Sequence, residues 1–297
     1  MTFLAELQTR IARHADDPKV ATLLPGVAIM ASSTPTRPMG YVSEPAFAMV
    51  VQGAKRAVLG ERTFDYSAGQ YLIVSVDLPL TANIVKASPQ EPFLALGLKL
   101  NAATIATLLV ETGVIRNNRT GPSAIAVSDL TDDFLDPVVR LLRLLDRPED
   151  IPVLLPAIER EIYWRLVNGD QGAMIQQIGL ADSRVAQVSK AIRWIRGNYT
   201  EVLGVEALAE MVGMSLTSFH RHFRAVTSLS PLQYQKQIRL QQARARLAAN
   251  PKDIAAVGFA VGYDSPSQFS REYRRLFGVP PGEDAARLQS LSTIDDL

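Results

Sequence analysis

Two stretches in the C-terminal part of this chain repeat one another fifty residues apart. Ser215 matches Ser265, Phe219 matches Phe269, Arg221 matches Arg271, Phe223 matches Tyr273, Arg224 matches Arg274 and Pro231 matches Pro281. A glycine stands just ahead of each stretch, Gly213 and Gly262, one residue out of register. Before each glycine lies a short apolar segment, Val205–Met211 and Asp253–Ala260. Each unit therefore reads helix, tight turn, helix. That is the helix-turn-helix arrangement, in which the second helix enters the major groove of DNA.

Capping chemistry marks the boundaries. Ser215 is placed to cap a helix starting at Leu216, and Ser265 precedes Pro266 at a first helical position. Ser230 does the same before Pro231, for a long helix running to about Ala249 that Asn250-Pro251 stops. Asp253 caps the next one. The faces then separate. Over 216–226, Leu216, Phe219, Phe223 and Val226 recur at helical spacing and are expected in the core. Thr217, His220, Arg221 and Arg224 fall on the other side. Over 266–277, Phe269, Tyr273, Leu276 and Phe277 face inward, leaving Ser267, Gln268, Arg271, Arg274 and Arg275 outside. Arginine reads guanine edges, glutamine reads adenine, and Ser, Thr or His contact bases or phosphates, so these nine residues are the candidate DNA contacts. A helix over 231–249 spans roughly 28 Å at 1.5 Å per residue. That suits two recognition helices about one turn of B-DNA apart, roughly 34 Å.

Charge divides the same way. Residues 181–282 hold 14 Lys+Arg against 7 Asp+Glu, whereas residues 1–180 hold 16 against 19. A basic module joined to a mildly acidic one fits polyanion binding by the second half. The acidic half reads as strands and then helices. Short apolar runs separated by turn signals recur about ten residues apart at 47–51, 57–59, 64–66, 71–74, 81–85 and 93–98, the pattern of an antiparallel sandwich or barrel. Helical patterns lie at 3–15, 102–112, 129–146 and 152–168. The last two are Leu-rich and either cover the barrel or form a dimer face. Trp194 is expected in the core of the first helix of the basic half.

Residues from about 185 to 284 resemble the DNA-binding domain of the AraC/XylS family of transcription regulators. The stretches that carry this are Leu208–Ser215, Phe219–Arg224, Ser230–Tyr234, Arg239–Arg244, Val261–Arg271 and Phe277–Pro281. Three positions depart from the family pattern. Ser228 stands where Gly is usual, Gly258 where Ala is usual, and Gly282-Glu283-Asp284 lacks the closing aromatic-Arg pair. Residues from about 20 to 165 look like the family's cupin-like N-terminal domain, through Val50–Lys55, Tyr66–Leu72 and Val76–Pro79. The resemblance implies an α+β chain of two domains. The first is a cupin-like antiparallel β-barrel with flanking helices over 1–180, for sensing or dimerisation. The second is an all-α domain over 185–284 with helix-turn-helix units at 205–226 and 253–277 joined by a long helix, leaving 285–297 as a tail. It implies duplex DNA as partner, with RNA polymerase, a small-molecule effector and a second copy of the chain as further partners to test. Lys55, Arg56, Tyr66 and Tyr71 are the candidate ligand-pocket residues.

Rival functions meet specific obstacles. The 297 residues contain no cysteine, which excludes disulfides, thiolate metal sites and cysteine nucleophiles, and which fits a reducing, cytoplasmic location. The only histidines are His14, His220 and His222. A His-rich cupin metal site is therefore unavailable, and no metal or other cofactor is expected. His220 and His222 point to different helix faces, which suits a DNA contact for the first and a structural role for the second. No phosphate-binding loop, nucleophile elbow or zincin motif occurs, so an enzyme is not expected. No apolar run is long enough to span a membrane, and no signal peptide is expected. A cupin-type binding protein or enzyme carrying a non-specific nucleic-acid module is the alternative. It predicts dispersed basic residues or exposed stacking aromatics, whereas here the aromatics fall on inward faces.

Overall fold

The computed structural model describes residues 2–15, 17, 19–114, 123–180, 183–249 and 253–292. The chain divides into two compact units, with the main boundary between Gln187 and Val188. The expected stop at Asn250-Pro251 lies outside the described residues. No described helix is long and apolar enough to cross a membrane.

The first unit opens with two helices, α1 (Phe3–His14) and α2 (Lys19–Leu23). Strands β1 (Val27–Ser32), β2 (Met39–Ser43), β3 (Ala46–Gln52), β4 (Ala54–Leu59), β5 (Arg62–Ser67), β6 (Gln70–Val74), β7 (Leu78–Lys86) and β8 (Phe93–Lys99) follow. After α3 (Ala102–Thr112) come β9 (Ile125–Asp129), α4 (Asp132–Arg143), α5 (Ile151–Asn168) and α6 (Gly172–Gly179). The strands form two sheets, ordered β1-β8-β3-β6-β9 and β2-β7-β4-β5. The chain passes from one sheet to the other at Gly53 and returns at Gly69, both at positive φ. A Cβ at Gly53 would stand 2.4 Å from the Lys86 carbonyl oxygen, so only glycine fits that corner.

All six strands expected from the sequence are present. Three more were not anticipated, β1, β2 and β9, and each is the edge of a sheet. The helix expected over 129–146 starts instead at Asp132, because residues 125–129 pair as β9 with β6.

Alternation fixes what each sheet face meets. On the five-stranded sheet, Phe47, Met49, Tyr71, Ile73, Leu94, Leu96 and Leu98 share one core with Leu7 and Ile11 of α1 and Ile105 of α3. Phe134, Val138, Leu141 and Leu142 of α4 and Ile158, Ile162 and Leu166 of α5 complete it. These apolar helix faces cover the sheet, each fully buried large side chain contributing about 1.5–3 kcal/mol. Trp164 is half-buried against the same core. Ion pairs brace the helical layer from outside. Glu6 bridges Arg10 and Arg143, and those two guanidinium groups hold its carboxyl at about 2.

The second unit is helical. It contains α7 (Arg184–Gly197), α8 (Val205–Met211), α9 (Leu216–Thr227), α10 (Pro231–Ala249), α11 (Ile254–Ala260), α12 (Pro266–Phe277) and α13 (Pro281–Ser292). Helix α13 corrects the expected tail from 285. It runs on past that point, and its Ala285 is buried in the core with Leu240, Ala243, Phe269 and Tyr273. Trp194, expected in the core, is only half-buried.

Candidate nucleic-acid interface

Each recognition helix is fixed at its start by side-chain capping and at its end by a left-handed residue. The Ser215 hydroxyl accepts from Ser218 N at 3.4 Å, and that of Ser265 accepts from Gln268 N at 3.4 Å. Asp253 Oδ1 accepts from Ala256 N at 2.8 Å, starting α11. At the head of α10 the caps are reciprocal. Ser230 Oγ accepts from Gln233 N at 3.2 Å, and Gln233 Oε1 accepts from Ser230 N at 2.9 Å. Helix α12 ends at Gly278, φ +81°, but α9 ends at Ser228, φ +59°, the one non-glycine at positive φ among the described residues. A left-handed non-glycine costs roughly 1–2 kcal/mol. Glycine's greater freedom in the unfolded chain returns about 0.5–1 kcal/mol of that. Ser228→Gly is therefore expected to stabilise the protein by about 0.5–1 kcal/mol, read as a higher urea midpoint at unchanged slope.

The helix faces separate as alternating burial requires. On α9, Phe219 and Phe223 are fully buried, with Phe223 edge-on to Tyr234 of α10. Thr217, His220, Arg221 and Arg224 are exposed and form one stripe at helical spacing. On α12, Phe269 and Tyr273 are fully buried, while Ser267, Arg271, Arg274 and Arg275 make the matching exposed stripe. Two positions differ from expectation. Leu216, expected in the core, is 39% exposed at the first turn of α9, on the side of the polar stripe. Gln268 is half-buried, and its Nε2 donates to Glu272 Oε1 at 3.2 Å, which turns it partly away from the outer face. His222 is half-buried.

Two other arginines of the unit are committed to internal partners. Arg239 and Arg244 donate to protein carbonyls or to a buried carboxylate. Among the described residues, Arg221, Arg224, Arg271, Arg274 and Arg275 make no ion pair with the protein. Five cations on two capped helices are thus held out toward solvent without internal partners. Such a surface takes an extended polyanion.

Gly258, unusual for its position, has a packing reason. A Cβ there would lie 3.0 Å from Cδ1 of buried Phe269, so the bare glycine lets α11 sit close against α12.

Residues 23–174 match the family described as AraC-type transcriptional regulator N-terminus. The chain belongs to the AraC family of transcription regulators. A second match, to a helix-turn-helix domain, covers residues 208–287. Among AraC-family relatives, the virulence regulon transcriptional activator VirF of Yersinia enterocolitica is 24% identical over 259 residues, covering 84% of this chain and 92% of VirF. The regulator ArgR of Pseudomonas aeruginosa is 28% identical over 169 residues, 57% of this chain and 48% of ArgR. The crystal structure of ToxT from Vibrio cholerae superposes with a TM-score of 0.56 at 9% identity, covering 87% of this chain and 97% of ToxT. That likeness shows the shared fold, an N-terminal β domain followed by a helical domain. As an AraC-family member the chain is a DNA-binding transcription regulator.

The four residues expected to line a ligand pocket are not brought together. Lys55 shares its face of β4 with buried Ala57 and Leu59, so it points to the interior between the sheets, with Tyr66 and Ile84 as its cross-strand neighbours. Arg56 points the opposite way and pairs with Asp65 at the surface, Nε to Oδ1 at 2.6 Å. Tyr71 belongs to the other sheet and stacks with Phe134 under the helices, ring centroids 5.8 Å apart. That leaves Lys55 and Tyr66. Burial pushes the Lys55 ammonium down. Among the described residues no group of three or more His, Asp or Glu is placed to hold a metal ion.

Proposed function

We propose that this chain is a sequence-specific, effector-responsive regulator that reads two successive major-groove segments of duplex DNA, one with α9 and one with α12. The observation that carries the reading is the pair of unpaired, exposed arginine stripes on two capped helices packed on one connecting helix. Binding, not turnover, is its activity. Arg221 and Arg271 occupy matching places in the two units and are assigned to base edges, with Thr217, His220, Arg224, Ser267, Arg274 and Arg275 on bases or phosphates. Gln268 retains its amide oxygen for the same surface. The test is a footprint of the full-length protein on a duplex selected from random sequence, with competitor DNA at fixed salt. Two protected segments about 10 bp apart are expected. Binding without sequence preference would reduce the helical unit to a non-specific module.

The first unit is assigned the effector. Lys55 and Tyr66 are cross-strand neighbours on the inward face of the four-stranded sheet, and a partly desolvated ammonium with no ion-pair partner among the described residues favours an anionic ligand. ToxT has been crystallised with an unsaturated fatty acid and with a naphthalenyl-butenoic acid. Organic carboxylates are accordingly the first class to screen. Lys55→Met is expected to weaken binding of a carboxylate hit at least tenfold, in keeping with about 1.5–3 kcal/mol for a charge-assisted bond. Calorimetry showing equal affinity in the variant would remove Lys55 from the site.

A further inference from the structure

The two helix-turn-helix units repeat in sequence, but their turns are held differently. Gly213, in the turn between α8 and α9, sits at φ +69°, and a Cβ built on it meets nothing within 4 Å. Gly262, in the turn between α11 and α12, sits at φ +92°. A Cβ there would stand 2.6 Å from the Thr200 carbonyl oxygen and 3.0 Å from Cζ of Arg239. The second turn is therefore pressed against the segment that leads from α7 into α8.

Arg239 of α10 fills that seam. Its Nε donates to the Tyr199 carbonyl at 2.6 Å, its Nη2 to Thr200 O at 3.2 Å and Glu201 O at 2.9 Å, and its Nη1 to Gly262 O at 2.6 Å. Gln235, one helical turn earlier, donates Nε2 to Tyr199 O at 3.1 Å and Glu201 O at 2.7 Å. Burial alone would favour losing the Arg239 charge, and its pull is downward. The carbonyls just beyond the C-terminus of α7 are the negative end of a helix dipole, a natural seat for a cation. One guanidinium thus ties together the connecting helix, the entry to the first helix-turn-helix and the turn of the second. Lys236 extends the tie to α12, its Nζ donating to Glu272 at 2.9 Å, and Glu272 also accepts from Tyr263 at 2.8 Å.

We infer that Arg239 is a positioning residue that sets the spacing and phase at which the two recognition helices meet DNA. It is assigned no contact with DNA itself, since four of its five N–H donors are taken by protein carbonyls. The inference rests on the two-segment reading proposed above. Spacing is a sharp variable because one base pair rotates the second segment by about 34° and moves it about 3.4 Å. A lysine keeps the charge but cannot reproduce the planar fork that reaches carbonyls on two separate segments.

The experiment measures affinity of the full-length protein for duplexes carrying the selected site at its natural spacing and with one or two base pairs added or removed between the segments. The wild type is expected to lose at least tenfold on a one-base-pair change, the scale of a poorly matched site. Arg239→Lys is expected to bind the natural spacing about tenfold more weakly and to discriminate between spacings only a few-fold. Gln235→Leu, which leaves Arg239 in place, is the milder second variant and is expected to fall between them. Helix content by circular dichroism separates loss of fold from loss of phasing. Uniform weakening across all spacings in both folded variants, or no change, would overturn the assignment to Arg239 while leaving the two-segment reading intact. A wild type indifferent to spacing would overturn both.

Discussion

Asp284→Ala is expected to destabilise the helical unit by about 3–5 kcal/mol, the cost of stranding a buried cation by removing its partner. Asp284 is fully buried at the start of α13. Its Oδ2 accepts from Arg244 Nε of α10 at 2.8 Å and from the Tyr273 hydroxyl of α12 at 2.8 Å, and its Oδ1 accepts from Arg287. Arg244 is itself only 11% exposed and also lies over the Phe277 ring, 4.8 Å from its centroid. Removing the carboxylate leaves a buried guanidinium and a buried phenol without their acceptor. Asp284→Asn keeps an acceptor and loses the charge, so its cost is expected to be about 1.5–3 kcal/mol. Both are measured by urea unfolding monitored on the helical signal, and a loss under 1 kcal/mol for the alanine variant would contradict the account.

The same network fixes the sign of a pH effect. Burial pushes the Asp284 carboxyl up, but the Tyr273 hydroxyl and the Arg244 guanidinium outweigh it and hold the group below the ordinary carboxylate range. A carboxyl with a lowered native value contributes stability that is complete above its unfolded value, about 3.9, and is lost as pH falls below it. The wild type should therefore lose stability on acidification through that range more steeply than Asp284→Asn, which cannot titrate there.

Arg221→Ala and Arg271→Ala are each expected to cost about 1–3 kcal/mol in DNA affinity and to relax preference at one or two base positions, in different segments of the site. The two effects should add, because the residues lie on separate helices with no shared partner. Arg224, Arg274 and Arg275 provide the contrast. Where one of these meets a phosphate, its removal weakens every sequence alike and lowers the salt slope by about 0.9. Affinity measured over a panel of single-base variants at two salt concentrations sorts the five arginines. A folded Arg221→Ala, Arg271→Ala double variant that binds its site like the wild type would remove the proposed readout.

What the sequence revealed follows from where the strongest patterns lie. Strands β3, β4, β6, β7 and β8 are flanked by partners on both sides, so their runs are apolar and easily seen. Strands β1, β2 and β9 each have one free edge and a largely half-buried or exposed pattern, and the β9 segment Ile125–Asp129 merges by eye into the helix that follows. The recognition helices were legible because their buried aromatics and exposed arginines alternate at helical spacing. Leu216 misled because its spacing is right but the first helical turn lies beyond the core. Residue type alone marks the four pocket candidates in the sequence. Neighbours in a strand, Lys55 and Arg56, necessarily face opposite ways, and which way is decided by the other sheet. In the sequence Asp284 stands out only as part of a segment that lacks the family's closing aromatic-Arg pair. Nothing local signals that Arg244, forty residues earlier, will meet it.

The difference between the two glycine turns bears on how the repeat can change over evolutionary time. Gly213 is constrained by its own backbone, so asparagine, which tolerates a left-handed conformation, is an acceptable replacement there. Gly262 is constrained by its neighbours as well, and any side chain would collide with Thr200. The copies are no longer interchangeable parts. Replacing the second with a duplicate of the first would carry over a turn never shaped to receive an arginine, and drift in the pair is open on one side and closed on the other.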